Sequence, residues 1–240
     1  MKITRISKVV RKLLPARTCS VVIVAAGNAS RMSGIDKVMA LLDGEPMIVR
    51  TVRTFQQSEL IKEIVVVTRP DLIIPVLELC AEFDKLKAVV VGGENRSESV
   101  QAGLSAIACK TGLVAVHDGA RPLVSQQIID RTVMAASNYG AAAPAIQVKD
   151  TIKIVRGGIV SQTPDRSTLR AVQTPQVFDY DLLRSALQKA KDCGTEITDD
   201  CSAVELLQMS VKIVEGEERN LKVTTPMDLK IAEMLLEEMK

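Results

Sequence analysis

The sequence of 240 residues contains few aromatic side chains: three Phe, two Tyr and no Trp. A surface that stacks the bases of single-stranded nucleic acid needs aromatic rings, so that function is not expected. The charges nearly cancel, with 31 Lys and Arg against 29 Asp and Glu. This balance argues against a protein that binds nucleic acid or an anionic membrane. The core must be built from Val, Ile, Leu, Ala and Met.

Histidine and paired cysteines are scarce as well. His117 is the only histidine, which excludes a site that needs two imidazoles, such as a paired-histidine zinc motif. The five cysteines are widely spaced and form no Cys-x-x-Cys pair. This pattern is typical of reduced, mostly buried thiols in a cytoplasmic protein. A catalytic Cys–His pair would have to use His117.

Long apolar segments are also missing, since no run approaches the ~18–20 residues of a membrane span. Residues 1–18 carry six basic residues and no acidic one. They lack the apolar core of a signal peptide, and we interpret them as a short basic extension of helical character. The remainder, residues 19–240, is expected to form a single domain.

From residue 19, short apolar runs alternate with amphipathic segments. The apolar runs at 19–27, 61–68, 87–91 and 112–118 predict buried strands. Helical spacing occurs at 44–58, 71–83, 100–107, 125–138, 179–192 and 199–209, and a C-terminal helix follows Thr225-Pro226. Residues 140–148 and 210–216 favour further strands. Strands alternating with helices indicate an α/β fold with a mostly parallel sheet. A hairpin pattern around Gly157-Gly158 does not fit this layering, so we expect it to protrude.

Several loops follow the predicted strands, and ligands of open α/β sheets bind at this carboxyl edge. The first loop, residues 25–37, combines small residues with Arg31 and Lys37. Small residues let backbone N–H groups approach an anion, and the two cations add charge. The loop is neither a Walker A sequence nor a dinucleotide fingerprint. It indicates phosphate binding, and a solvated loop with two cations is the alternative.

Three more loops are expected at the same edge. In residues 92–97 two glycines allow the backbone to approach a flat ring closely, and the hydroxyl of Ser97 or Ser99 could form a hydrogen bond with the edge of that ring. A helix N-cap is the alternative. Asp118 ends a strand beside these loops and is a candidate Mg²⁺ ligand, because Mg²⁺ is commonly held by one or two carboxylates plus phosphate oxygens. Residues 220–224 supply another cation, Lys222. Taken together, the loops favour a nucleotide–metal site.

With these loops in place, the chain resembles the 2-C-methyl-D-erythritol 4-phosphate cytidylyltransferase family over about residues 19–238. The resemblance rests on ordered motifs: "VVIVAAG…SRM…DK", "GGENRSESVQAGL", "VHDGARP", "KDT", "VQTPQ", "ITDDCSAVE" and "NLKVTTPMDL". It implies a Rossmann-like three-layer α/β/α sandwich and a homodimer. A protruding β-arm, about residues 147–172, is then expected to reach the partner.

The resemblance also implies roles for individual residues. Three cations hold the triphosphate and the transition state: Arg31, Lys37 and Lys222. A second group surrounds the cytidine: Ala25, Ala26, Gly27, Gly93, Glu94 and Ser99, with Gly119 on the ribose side. Asp118 is the implied magnesium ligand. The implied substrate pocket contains Arg121, Thr151, Arg166, Thr174 and Thr198, of which Thr151 and Arg166 reach the neighbouring subunit's site.

The first loop departs from the family's usual pattern at several positions. Ala29 stands where a second glycine is usual and Asp36 where a proline is usual. Val38-Met39 replaces Gln-Tyr, and the loop is about one residue shorter between Arg31 and Lys37.

The implied reaction is direct attack of the phosphate of 2-C-methyl-D-erythritol 4-phosphate on the α-phosphorus of CTP, with Mg²⁺ and loss of pyrophosphate. A phosphate monoester has its second pKa at ~6 and needs no general base. Two alternatives stay open at this point. One is a cytidylyltransferase for another polyol phosphate, such as ribitol 5-phosphate, and the other is a non-catalytic nucleotide-binding subunit of the same fold.

Overall fold

The computed structural model describes residues 17–27, 38–108 and 112–238. The described strands are β1 (Cys19–Val24), β2 (Leu41–Leu42), β3 (Glu45–Pro46), β4 (Ile61–Thr68), β5 (Leu86–Val91), β6 (Leu113–Asp118), β7 (Ala141–Gln147), β8 (Ile154–Arg156), β9 (Ile159–Gln162), β10 (Arg170–Val172), β11 (Gln176–Asp179) and β12 (Lys212–Glu215). The described α-helices are α1 (Met47–Gln57), α2 (Ile73–Leu79), α3 (Arg96–Ala106), α4 (Gln126–Tyr139), α5 (Tyr180–Asp192), α6 (Asp200–Glu205) and α7 (Pro226–Glu237), and short 3-10 helices occur at Pro70–Leu72 and Arg166–Thr168.

Eight strands form one sheet, with β5, β4, β1 and β6 as a parallel half. On the far side of β6, the strand β11 runs antiparallel between β6 and β7. The strands β10 and β12 pair with β7, antiparallel and parallel respectively. The predicted mostly parallel sheet is therefore confirmed. The strand β11 was not predicted, because four residues after a proline are too short to show a period of two.

Helices cover both faces of the sheet. Alternate residues of β1 point to opposite faces, as pleating requires. Val21 and Ile23 pack in a core with α1, α2 and α4, while Val22 packs with α3, α5 and α6. A smaller core joins α7 to β2 and to the start of α1. These layers confirm the α/β/α sandwich.

The segment between β7 and β10 leaves the main sheet. There β8 and β9 form their own two-stranded sheet, turning at Gly157-Gly158, and every residue of both strands is exposed. This is the hairpin that the sequence predicted. A two-stranded hairpin is marginally stable alone in water, so packing against another surface would stabilise it.

The N-terminal extension falls almost entirely on residues 1–16, which lie outside the described residues, as does Cys109. Arg17 is described, and its Nη2 atom donates to the carbonyl of Gly112 at 2.7 Å. The described cysteines are free thiols; Cys19, Cys80 and Cys201 are buried and Cys193 is exposed. Within ranges 17–27, 38–108 and 112–238, no helix has the length and apolarity needed to cross a bilayer.

Gly103 shows how closely α3 packs on the sheet. A Cβ atom at this position would lie 2.3 Å from Cγ1 of Val22 and 2.9 Å from Cγ2 of Val67. Both valines are fully buried and cannot move aside cheaply in a close-packed core. We therefore expect the steric cost to exceed the gain of up to ~1 kcal/mol that alanine has over glycine in a helix.

We predict that Gly103→Ala lowers the free energy of unfolding by about 1–3 kcal/mol, as overpacking does elsewhere. Urea unfolding followed by circular dichroism measures the change. Ser105→Ala is the matched control, because Ser105 is exposed on the same helix, and it should alter stability by less than about 0.5 kcal/mol. A Gly103→Ala variant as stable as the parent would show that α3 can shift away from the sheet.

Candidate functional site

A pocket lies at the carboxyl edge of the parallel strands. It has a volume of about 390 Å³ and opens above the ends of β1, β4, β5 and β6. Its lining comes from these strand ends and the residues that follow them, from the start of α3, from Val38 and from the segment before α7: Val24, Ala25, Ala26, Gly27, Val38, Thr68, Arg69, Pro70, Gly92, Gly93, Glu94, Asn95, Arg96, Ser99, Asp118, Ala120 and Lys222. The predicted convergence of loops at one sheet edge is thus present.

Asp118, the last residue of β6, lies among three cations. Its Oδ2 atom is 2.9 Å from Nζ of Lys222 and 3.7 Å from Nε of Arg121, and its Oδ1 atom is 3.7 Å from Nε of Arg96. Burial opposes ionisation of this carboxyl, but Lys222 and Arg96 outweigh it and lower the pKa of Asp118 to about 2. Asp118 is therefore a carboxylate throughout the physiological pH range.

Arg96 links Asp118 to a second, deeper carboxylate. Its Nη1 atom is 2.8 Å from Oδ2 of Asp200, which is fully buried at the start of α6. Burial raises the pKa of the Asp200 carboxyl, and Arg96 opposes that rise. The pKa of Arg96 is raised despite the opposing effect of burial, because Asp200 and Asp118 both attract the cation. The three cations outnumber the two carboxyl groups, so the cluster carries net positive charge, which suits an anionic ligand.

The loop after β5 brings backbone close to the pocket. A Cβ atom on Gly92 would lie 2.5 Å from Cβ of Ala26 and 2.7 Å from Oγ of Ser99, so only glycine fits there. The Ser99 hydroxyl accepts from the N–H of Gly93 and donates to the carbonyl of Asn95. Asn95 caps α3 by accepting from the N–H of Glu98. Asn95, Arg96 and Ser99 line the pocket, so the positive end of α3 lies beside it, as is favourable for an anion.

Lys222 and Arg121 are held by the segment that precedes α7. The Nη1 atom of Arg121 donates to the carbonyl of Asn220 at 2.6 Å, and the N–H of Val223 donates to the carbonyl of Ala120 at 2.8 Å. Thr225 caps α7 and accepts from the N–H of Asp228, so the helix start is fixed just after Lys222. These contacts bring the two cations to Asp118.

His117 and Thr174 lie beneath Asp118. The Thr174 hydroxyl is 3.0 Å from Nδ1 of His117 and accepts from the N–H of Asp118 at 3.1 Å. His117 is fully buried, and burial lowers its pKa to about 3. The only histidine is therefore neutral and has no access to a ligand.

The structure brings most of the predicted nucleotide-site residues together. The pocket contains Lys222, Asp118, Ala25, Ala26, Gly27, Gly93, Glu94 and Ser99. Gly119 follows Asp118 and is buried beside Ala25. Arg31 and Lys37, together with the departures at Ala29 and Asp36, lie outside the described residues.

The predicted substrate residues are more dispersed. Arg121 contacts the Asp118 cluster, and Thr174 is buried beneath it, 4% exposed. Thr198 is exposed just before α6. Thr151 and Arg166 are exposed in the segment between β7 and β10, where Nη1 of Arg166 donates to the carbonyl of Lys149 at 2.8 Å. Direct substrate contact by any of these residues stays a prediction.

Sequence reasoning did not single out Arg96 and Asp200 as site residues. Both stand inside quoted motifs, "GGENR" and "ITDD", but nothing in their spacing shows that they form an ion pair. The signal that could have found them is the excess of charged residues in two loops at one sheet edge, since such residues are rarely buried without a partner.

The chemistry at Asp118 fits Mg²⁺ delivered together with phosphate. Asp118 is ionised, lines the pocket and is accompanied by cations that suit phosphate oxygens. No cluster of three or more His, Cys, Asp and Glu ligands occurs among the described residues. One carboxylate plus phosphate oxygens is a usual arrangement for Mg²⁺, which retains several waters.

Comparison with known proteins adds independent information. The family model described as "2-C-methyl-D-erythritol 4-phosphate cytidylyltransferase" matches residues 19–238. A protein of that name from Geobacillus kaustophilus is 46% identical over 218 residues, which cover 90% of this chain and 95% of the relative. One from Caldanaerobacter subterraneus is 43% identical over 226 residues, covering 90% of this chain and 98% of the relative.

Solved structures give the same result. A 4-diphosphocytidyl-2C-methyl-D-erythritol synthase from Anaerococcus prevotii matches with a TM-score of 0.84 at 30% identity, over 92% of this chain and 97% of that one. The 2-C-methyl-D-erythritol 4-phosphate cytidylyltransferase from Thermus thermophilus matches with a TM-score of 0.76 at 35% identity, over 92% and 99% of the two chains.

The ion pair between Arg96 and Asp200 generates a stability prediction. Arg96→Met leaves the buried carboxylate without this cation, so folding must protonate Asp200, whose ordinary pKa is 3.8. Because the pKa of Asp200 is already raised in the parent protein, only the further rise counts. The loss of unfolding free energy should therefore be larger at pH 7 than at pH 5, by up to about 2.7 kcal/mol at 1.36 kcal/mol per pH unit. Urea unfolding at the two pH values measures it.

The double variant Arg96→Met/Asp200→Asn is the matched control, because it lacks the group that must be protonated. It should be more stable at pH 7 than Arg96→Met alone and should lose this pH dependence. Equal losses for Arg96→Met at pH 7 and pH 5 would show that Asp200 is not an ionised partner of Arg96.

Proposed function

The chain belongs to the 2-C-methyl-D-erythritol 4-phosphate cytidylyltransferase family, and we propose that the pocket around Asp118 is its active site. The protein is a nucleotidyltransferase of isoprenoid biosynthesis. It transfers the cytidylyl group of CTP to 2-C-methyl-D-erythritol 4-phosphate and releases pyrophosphate. The observation that carries the site assignment is the ionised Asp118 carboxylate among Lys222, Arg96 and Arg121 in a pocket at the sheet edge.

The reaction is a direct in-line displacement. An oxygen of the acceptor phosphate forms a bond to the α-phosphorus of CTP, and the bond from that phosphorus to the pyrophosphate oxygen breaks. The acceptor phosphate is already largely ionised at neutral pH, since its second pKa is ~6. No side chain needs to remove a proton, which agrees with the burial of His117 away from the pocket.

The protein's contribution is positioning and neutralisation of charge. Lys222, with Arg31 and Lys37 from the first loop, holds the triphosphate and the charge that develops on the transition state. Asp118 is the residue that would hold Mg²⁺, and the bound ion supplies Lewis-acid stabilisation of phosphate oxygens. Since Lys222 contacts Asp118 at 2.9 Å, carboxylate and cation are already adjacent before the nucleotide arrives.

The cytidine is proposed to lie between the loops after β1 and β5. Ala26 and Gly92 lie close together on one side of the pocket, and Asn95, Arg96 and Ser99 at the start of α3 line it as well. Ala25, Gly27, Gly93, Glu94 and Ser99 complete this surface, with Gly119 on the ribose side. The acceptor is proposed to contact Arg121, Thr174 and Thr198.

The two remaining residues predicted to contact the acceptor substrate lie on the arm, and the exposure of this arm supports a homodimer. Thr151 and Arg166 belong to the exposed arm, which carries apolar side chains into solvent; Ile159 is 75% exposed. We propose that a second copy covers this arm and that Thr151 and Arg166 then complete the partner's site. A cytoplasmic location is part of the same proposal, because the described cysteines are free thiols.

The two alternatives are weaker. Ribitol 5-phosphate as acceptor is not favoured, because the family model and the relatives are named for 2-C-methyl-D-erythritol 4-phosphate. A non-catalytic nucleotide-binding subunit would have no use for a cluster of cations that stabilises a transition state.

We predict that CTP and Mg²⁺ yield pyrophosphate with 2-C-methyl-D-erythritol 4-phosphate but not with ribitol 5-phosphate or without an acceptor. A coupled assay for pyrophosphate measures this, and EDTA should abolish the release. Asp118→Asn and Lys222→Met should each lower kcat about 10²–10³-fold, the usual cost of one transition-state contact. Release with ribitol 5-phosphate alone would contradict the proposed acceptor.

We predict that Ile159→Asp converts the dimer to monomers, because it places a charge on the apolar surface of the arm. Sedimentation velocity measures the assembly, and kcat should fall with it because Thr151 and Arg166 no longer reach a partner. Ile74→Asp is the matched control, since Ile74 is 66% exposed on α2. A parent protein that sediments as a monomer would contradict the proposed assembly.

A further inference from the structure

His117 is a buried titratable residue that the proposed reaction does not use. It is 0% exposed, and its ring meets the ring of Phe55 edge-on with the centroids 4.9 Å apart. Its two nitrogens face different groups: Nδ1 lies 3.0 Å from the hydroxyl of Thr174 and Nε2 lies 3.3 Å from the carbonyl of Arg121. Both nitrogens therefore have a partner within the protein.

The partners determine the direction of each hydrogen bond. A carbonyl oxygen only accepts, so Nε2 of His117 must carry the proton and donate to Arg121. A backbone N–H only donates, so the Thr174 hydroxyl accepts from Asp118 at 3.1 Å. In a neutral ring Nδ1 is then an acceptor, and the Thr174 hydroxyl donates its proton to it. The neutral form is expected for an imidazole with no access to water.

The Thr174 hydroxyl takes the place of the backbone carbonyl that would otherwise accept the N–H of Asp118. The antiparallel register of β11 and β6 pairs Gln176 with Val116, so continuing it places Thr174 opposite Asp118. The carbonyl of Thr174 is already bonded to the side-chain Nδ2 of Asn220 at 2.9 Å. The hydroxyl therefore takes the N–H of Asp118, at the residue that ends β6.

We infer that His117 is a positioning residue for Asp118. The Nε2–H form of its ring orients the Thr174 hydroxyl, which fixes the backbone of Asp118 and so aims the carboxylate at Lys222 and the pocket. At the other nitrogen the ring ties down the backbone of Arg121. The functional part of this inference rests on the proposed function, because it takes Asp118 as the magnesium-binding residue.

The chain itself makes the first test simple, because it has one histidine. In protein labelled with ¹⁵N-histidine, the two ring nitrogens of His117 are the only imidazole signals. At pH 7 we expect a protonated Nε2 and an unprotonated Nδ1. A ring protonated on Nδ1, alone or together with Nε2, would overturn the inference, and the result does not depend on any activity.

The second test measures metal binding. Mn²⁺ with CTP, in the absence of an acceptor so that no turnover occurs, is titrated by electron paramagnetic resonance. Removing a group that orients a metal ligand typically costs ~10–100-fold in affinity or activity. We expect a weakening within that range for Thr174→Val and for His117→Phe, and no further loss when the two are combined, because they break the same chain of hydrogen bonds.

Two variants serve as controls. Thr174→Ser keeps the hydroxyl and should bind Mn²⁺ like the parent protein. Thr132→Val makes the same chemical change at a fully buried threonine whose hydroxyl bonds to the carbonyl of Ile128 within α4, and it should also bind like the parent. Equal binding by Thr174→Val and the parent would overturn the inference.

Asp118→Asn separates this inference from the proposed function. Loss of Mn²⁺ binding in Asp118→Asn with normal binding in Thr174→Val and His117→Phe would reject the positioning role alone. Normal binding in Asp118→Asn would reject the metal role of Asp118, and with it the functional part of this inference. If Thr174→Val or His117→Phe fails to fold, the ring-nitrogen signals of the parent protein and the Thr174→Ser variant still decide the direction of the hydrogen bonds.

Discussion

The site depends on one charge balance. The Asp118 carboxylate is taken out of water at the end of a buried strand, and it stays ionised because cations from three different segments surround it. Lys222 precedes α7, Arg96 begins α3 and Arg121 follows β6. Unpaired, such a carboxylate would be costly to bury. Each segment is therefore fixed relative to the others by the need to keep this charge paired.

Residues around the Asp118 cluster hold its cations in place. Asp200 anchors Arg96 from below, so the guanidinium is fixed before any ligand binds. The Asn220 side chain and carbonyl join Thr174 and Arg121 to the segment that carries Lys222. A triphosphate would thus meet a preformed set of charges. Preorganised charge of this kind stabilises a transition state without further rearrangement.

Much of this arrangement was predictable from local pattern. Apolar runs located the parallel strands, and parallel strands bring their carboxyl ends to one edge. The convergence of Ala25, Gly93, Asp118 and Lys222 follows from that rule. The arm was predicted because its hairpin interrupts the alternation of strands and helices. The strand β11 was missed because its four residues and buried Gln176 lack an alternating apolar pattern.

The sequence by itself determined the layered α/β fold, the sheet edge that carries the chemistry and the family, because these depend on periodicity and on ordered motifs. Only the tertiary structure decided which charges pair and which buried polar groups are hydrogen-bonded to one another. The Arg96–Asp200 contact and the His117–Thr174–Asp118 chain join residues far apart in the sequence. These contacts form because strand register and burial bring the residues close together in space. Their spacing along the chain does not encode that proximity.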